Sequence, residues 1–293
     1  MSKIDTDDSV PRQLLRLGHD HDPMLTTDRL VYLQLQKTGG THVARLLTEH
    51  LDAVQATKHS RLGGRGGDRF VLGSVRNPWD WYVSLWAYGC GGNGTLRHRL
   101  TAPAGRAPGP ATARLLYAFN ERRRPAARWQ EVYEPTDDGP TRFRAWLHLV
   151  LDPDRRFDLH EGYGFSRVWR TGGLYSFRFL RLYTSPFRAL LMGRPYRTTA
   201  DLRAHYEQHR LADGYIRQER LDDDLLEVLR EQYPELSDEQ MKAITASSTV
   251  PTNVSDRRET GHYFDDETIR LVAERERLLV DLFGYSAPTP AGP

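Results

Sequence analysis

Two stretches of this chain change from strand chemistry to helix chemistry within a few residues, and nothing else in it restricts the fold as much. In the first, Arg29-Leu30-Val31-Tyr32-Leu33-Gln34-Leu35-Gln36 is an alternating run rich in strand formers. Lys37-Thr38-Gly39-Gly40-Thr41 breaks it, and from Thr41 the apolar residues Val43, Leu46, Leu47 and Leu51 fall on one helical face. In the second, Phe70–Val75 reads as a strand and Arg76-Asn77-Pro78 ends it. Trp79 to Tyr88 then continues as a helix with Trp79, Val83 and Trp86 on one side. Successive strand–loop–helix units predict an α/β fold with a parallel central sheet flanked by helices.

The same reading divides the chain. Residues 1–27 are a polar lead-in, 28–285 a single domain, and 286–293 a disordered tail. Within the domain, about 90–213 is an insertion that opens with an irregular segment from Cys90 to Ala113, dense in glycine and proline. Helices are expected at Ala111–Glu121, Arg142–Leu151, Leu202–His209 and Asp222–Gln232, and a late strand at Gly214–Glu219. A closing helix is expected from Asp265 to Phe283, with Ile269, Val272, Leu279 and Phe283 as its core face.

Composition narrows the classes. With 39% hydrophobic and 27% charged residues the chain is neither collagen-like nor disordered. No apolar run approaches the ~20 residues of a membrane-spanning helix, and the charged start, Met1 to Asp8, does not read as a signal peptide. The single cysteine, Cys90, excludes an internal disulfide framework and a cysteine-based zinc site, and points to a reducing cytoplasm. A net charge of +2 argues against nucleic acid as a partner. That total hides eight arginines against Glu121 alone between Arg97 and Arg128, and eight acids against Arg230 alone between Leu221 and Glu239. Only four of the 41 basic residues are lysine, and one of them, Lys37, opens the first strand–helix loop.

That loop has the chemistry of a phosphate site. Gly39 and Gly40 let the backbone turn tightly, the helix start adds unpaired N–H groups, and Lys37, Thr38 and Thr41 add side-chain donors. It is not a Walker A loop, in which the lysine comes last. The second loop supplies another anion-binding pair. Arg76 follows its strand directly, and Ser84, eight residues on, projects back from the helix toward the same anion.

Together the two loops resemble the signature of sulfotransferases that use 3′-phosphoadenosine 5′-phosphosulfate (PAPS), with their P-loop-like architecture. In that family a strand–Lys-Thr-Gly-Gly-Thr–helix loop holds the 5′-phosphosulfate, and a strand–Arg-x-Pro unit followed, after five intervening residues, by a serine holds the 3′-phosphate. Lys37–Thr41 and Arg76-Asn77-Pro78 with Ser84 stand here in that order. The C-terminal part is similar to the family's bacterial and carbohydrate branch. Ile216 to Asp222 resembles its late strand with a glutamate, Asn253 to Arg258 its cofactor-covering loop, and His262-Tyr263-Phe264 through Phe283-Gly284-Tyr285 its closing helix. Many members have serine at the position of His42 and aspartate at that of Asn77.

The resemblance implies a sulfotransferase that takes PAPS as donor, releases 3′-phosphoadenosine 5′-phosphate (PAP) and needs no metal. Cofactor contacts are then expected from Lys37, Thr38, Gly39, Gly40, Thr41, His42, Arg76, Ser84, Ser255, Arg257 and Arg258. Lys37 would stabilise the leaving group of an in-line transfer, and His59, between the two loops, would be the base. His42, Glu49 and Glu161 are the alternative bases. Trp79, Trp81 and Trp86 read as core. The acceptor is expected to be a small-molecule, glycan or glycolipid hydroxyl bound over the 90–215 region. An atypical nucleotide-dependent kinase and a non-catalytic nucleotide-binding protein of the same fold are the competing readings.

Overall fold

The computed structural model describes residues 24–55, 67–103, 123–134, 138–192, 196–248 and 258–290. Five strands form one sheet: β1 (Met24–Thr26), β2 (Leu30–Leu33), β3 (Val54–Gln55), β4 (Phe70–Val75) and β5 (Gly214–Arg217), in the order β3-β1-β2-β4-β5. β2, β4 and β5 are parallel, as the strand–loop–helix units require. β1 runs antiparallel to both its neighbours, β2 and β3, so the sheet is mixed and not the parallel sheet expected. The reason is the short link from β1 to β2. Thr27 N–H donates to Leu30 O at 2.9 Å, and the Thr27 hydroxyl accepts from Leu30 N–H at 2.9 Å. Strands joined by so tight a turn pair antiparallel. Residues 24–26, read as lead-in, therefore belong to the sheet.

Twelve α-helices lie among the described residues: α1 (Gly40–Leu51), α2 (Pro78–Cys90), α3 (Thr95–Thr101), α4 (Ala126–Glu131), α5 (Gly139–Leu151), α6 (Leu174–Tyr183), α7 (Arg188–Met192), α8 (Thr199–His209), α9 (Leu221–Gln232), α10 (Asp238–Ser248), α11 (Asp266–Arg275) and α12 (Arg277–Phe283). Strand alternation sorts them into two layers. Leu30, Tyr32, Leu72 and Ile216 face α1, α9 and α10. Val31, Leu33, Val71 and Val75 face the thicker layer built on α2, α5, α6 and α11.

In that thicker layer α2 is buried on nearly every side. Its tryptophans are core, as expected: Trp81 stacks on Tyr175 with centroids 4.3 Å apart, and Trp86 meets Phe143 edge to face. The segment expected to be irregular contains α3, whose Leu96 and Leu100 join the same core. The expected helix at Ala111–Glu121 lies outside the described residues. α6 was not foreseen. Its polar stripe, Arg178 and Arg181, is buried with the rest of the helix, so it has no solvent-facing side.

The closing helix is two helices, broken at Glu276. That carboxylate turns into the core and caps the start of α6. It accepts from Ser176 N–H at 2.8 Å and the Ser176 hydroxyl at 2.6 Å, and also from the Tyr82 hydroxyl. Burial raises its pKa. At the C-terminus, Ser286 O accepts from Asn77 Nδ2 at 2.9 Å, so the residue read as the start of a loose tail is tied to the second loop.

Candidate functional site

β2 and β4 are parallel neighbours, and the helices that leave them go to opposite faces of the sheet: α1 to one layer, α2 to the other. That divergence opens a crevice beyond the C-terminal ends of the strands, where open α/β sheets take ligands. Three bonds hold its walls together. Trp81 Nε1 donates to Gln36 O at 2.8 Å, Arg76 Nη1 to Lys37 O at 3.1 Å, and Asn77 N–H to Glu219 Oε1 at 2.6 Å. The sequence-expected loops thus meet, and the end of β5 joins them.

The first loop carries left-handed backbone at Lys37 (φ 68°) and Gly39 (φ 83°). For the lysine this costs roughly 1–2 kcal/mol, a strain that folds retain at binding sites. A Cβ at 39 would also lie 2.5 Å from Leu221 Cδ2 of α9, so that side chain would have to shift. The main-chain N–H groups of Thr38, Gly39, Gly40 and Thr41 find no acceptor among the described residues. Together with the start of the 12-residue α1 they form an electropositive cradle suited to a phosphate or sulfonate.

Side chains in this loop behave less uniformly than their types imply. Thr38 is fully buried. Its hydroxyl donates to Leu35 O at 2.6 Å and so accepts from Ser74 Oγ, also at 2.6 Å; Ser74 in turn accepts from the Tyr32 hydroxyl at 3.0 Å. Thr38 therefore offers an anion its main chain, while its hydroxyl pins the loop to β4. Lys37 Nζ sits 3.9 Å above the centre of the Tyr88 ring, a cation–π contact that places the ammonium on the α2 side of the crevice. His42 Nε2 is 2.8 Å from Asp222 Oδ1 in the first turn of α9.

In the second loop Arg76 is buried, with its side chain 9% exposed. Nε and Nη2 both converge on Asp80 Oδ2 at 2.5 Å, while Nη1 reaches the Lys37 carbonyl. Asn77 caps α2, accepting from Trp79 N–H at 3.1 Å. Ser84 is buried one turn beyond Asp80, and its hydroxyl makes no hydrogen bond among the described residues.

Behind Gln36 lies a buried ionic cluster that sequence reasoning missed. Glu161 accepts from Arg178 Nε at 3.0 Å and Nη2 at 2.5 Å, with Arg99 Nη1 and Arg181 Nη1 each at 3.4 Å. Arg178 Nη1 also donates to Gln36 Oε1 at 2.7 Å, which links the cluster to the first loop. Burial pushes the Glu161 carboxyl up, but the attraction of Arg178, Arg181 and Arg99 outweighs it and brings the pKa down to about 2. The available signal was a pair of arginines three residues apart inside an apolar run. Such a carboxylate holds no proton at neutral pH and takes none up readily, so Glu161 is not suited to be the base. Glu49 is bonded to Arg45 at 2.8 Å on the surface of α1.

His59, Ser255 and Arg257 lie outside the described residues. Arg258 is exposed, and its main-chain N–H donates to the Tyr263 hydroxyl at 3.4 Å. A groove of about 300 Å³ lined by Arg230, Tyr233, Met241 and Lys242 lies at the opposite end of α9 from Asp222 and touches neither loop. No helix among the described residues is long and apolar enough to cross a membrane. Comparison with protein-family models, with curated proteins and with solved structures finds no match.

Proposed function

We propose that this protein is a PAPS-dependent sulfotransferase of P-loop-like architecture, transferring a sulfuryl group to a hydroxyl of a small-molecule, glycan or glycolipid acceptor. The observation that carries the reading is the convergence of two different anion sites on one crevice. The cradle of N–H groups at Thr38–Thr41 with Lys37 ends β2, Arg76 with Ser84 follows β4, and the Arg76–Lys37 carbonyl bond joins them. Two anion sites on adjacent strand ends suit a nucleotide that is charged at both its 3′ and its 5′ position.

The chain's own groups then divide the work. The Thr38–Thr41 amides bind the 5′-phosphosulfate, whose sulfonate is the transferable group. Arg76 and Ser84 hold the 3′-phosphate. Lys37 offsets the negative charge that grows on the bridging oxygen as the sulfur–oxygen bond breaks. Arg258, following Ser255 and Arg257, contributes from the nucleotide's outer side. The acceptor hydroxyl gives up its proton as it attacks. The resemblance assigns that proton to His59 as the base.

Thermal unfolding with PAP, and separately with ATP and Mg²⁺, tests the donor site. At ~100 times its Kd, PAP stabilises by about 2.7 kcal/mol, roughly 5 °C in Tm; a shift with ATP–Mg²⁺ alone would support the kinase reading instead. Mass spectrometry of a PAPS reaction over a panel of hydroxyl acceptors tests turnover. His59→Ala is expected to keep the PAP shift and lose transfer, and unchanged turnover would place the base elsewhere.

A further inference from the structure

The carboxylate of Asp80 stands beside a group assigned to hold a phosphate, where its own charge repels the ligand. A negative side chain kept in such a place needs a compensating role, and its contacts define one. We propose that Asp80 is a positioning residue for Arg76 and that it thereby sets the preference for a nucleotide bearing a 3′-phosphate. This rests on the sulfotransferase reading above.

A guanidinium is a rigid plane with five N–H donors, and two fixed points at its edges determine how that plane faces a ligand. In Arg76 both points are present. The Nε/Nη2 edge is held by Asp80 Oδ2 at 2.5 Å, and Nη1 by the Lys37 carbonyl at 3.1 Å. Asp80 is itself restrained. It lies in the first turn of α2, which Asn77 caps, and its other oxygen, Oδ1, accepts from the Thr260 hydroxyl at 2.5 Å. Thr260 opens the 3₁₀ turn Thr260–Tyr263, two residues after Arg258, whose main chain is bonded to Tyr263. Asp80 is thus a joint of three parts: the arginine at the end of β4, the start of α2, and the root of the segment that carries Arg258. Without it the long arginine side chain regains its rotamers, and the fork loses one of the two points that orient it.

The test compares PAP with adenosine 5′-monophosphate, which lacks the 3′-phosphate, by calorimetric Kd for wild type, Asp80→Ala, Asp80→Asn and Thr260→Val. The wild-type ratio of the two affinities measures the 3′-phosphate preference. For Asp80→Ala we expect that ratio to fall about tenfold or more, the scale of one charge-assisted hydrogen bond, with monophosphate binding within twofold of wild type. Asp80→Asn keeps an acceptor oxygen for Arg76 and restores most of the ratio. Thr260→Val, which leaves every charge in place and serves if Asp80→Ala does not fold, lowers it severalfold.

PAP binding to Asp80→Ala that is unchanged or tighter would overturn the proposal, because Asp80 would then be inert or a mere competitor for Arg76. So would a ratio lowered equally in Asp80→Ala and Asp80→Asn, which would tie the effect to charge and not to orientation. A wild type that does not distinguish PAP from the monophosphate refutes the sulfotransferase reading itself, and this inference with it.

Discussion

Replacing Glu161 with glutamine isolates the contribution of one buried carboxylate to this fold. Glu161 is 4% exposed and takes a two-point bond from Arg178, with Arg99 and Arg181 at 3.4 Å. Its pKa is brought from 4.5 to about 2 by those arginines acting against burial. A displacement of that size corresponds to about 3 kcal/mol of folding free energy at neutral pH. An independent route agrees, since removing one partner of a buried ion pair costs ~3–5 kcal/mol. Glutamine conserves the volume, so cavity formation adds little, and urea unfolding at pH 7 should show a loss of about 3 kcal/mol.

The pH dependence follows from the direction of the shift. A carboxylate whose folded pKa is depressed contributes stability that is present above its unfolded pKa of ~4.5 and lost as pH falls toward the folded value near 2. Wild type should therefore lose stability steeply across that window, and Glu161→Gln should lose less there. A variant within 1 kcal/mol of wild type at pH 7, or one with an unchanged acid slope, would refute the reasoning. Because Arg178 also holds Gln36 Oε1, the variant should weaken PAP binding as well.

Gly39→Ala puts an L-residue at φ 83°, costing roughly 1–2 kcal/mol, and drives its Cβ against Leu221 Cδ2; an unshifted urea midpoint would mean the loop can relax freely. His205 is buried, bonded to the Tyr196 hydroxyl through Nδ1 at 3.0 Å and to Thr184 through Nε2 at 3.3 Å. Burial, then the nearby His209, lowers its pKa to about 4. The unfolded chain binds that proton more readily, so stability should fall as pH drops from ~6.5 toward 4; a His205→Gln variant with the same slope there would assign the loss to other groups.

What the sequence determined by itself is local. Short runs of strand formers in Leu30–Leu33 and Phe70–Val75, glycine at 39 and 40, and proline at 78 act over a few residues, so the two strand–loop–helix units were legible from residue order alone. The two candidate anion loops were legible for the same reason. The mixed sheet was less so, because β1 is only three residues long and its pairing depends on a tight turn. α6 was hidden because its polar stripe, Arg178 and Arg181, turns into the core and not toward solvent, and the break at Glu276 because its partners, Tyr175 and Ser176, lie a hundred residues away.

Tertiary structure alone decided where the polar groups of the loops point. Thr38, read as a phosphate ligand, turns its hydroxyl onto Ser74, 36 residues on, and His42 meets Asp222 across 180 residues. Arg76 finds a local partner in Asp80, yet what holds Asp80 in place is Thr260, again 180 residues away. A side chain's type states which bonds it can make. Which of them it does make is set by the strands and helices that packing brings beside it, and burial makes that choice decisive, because a polar group without a partner there costs ~1–3 kcal/mol.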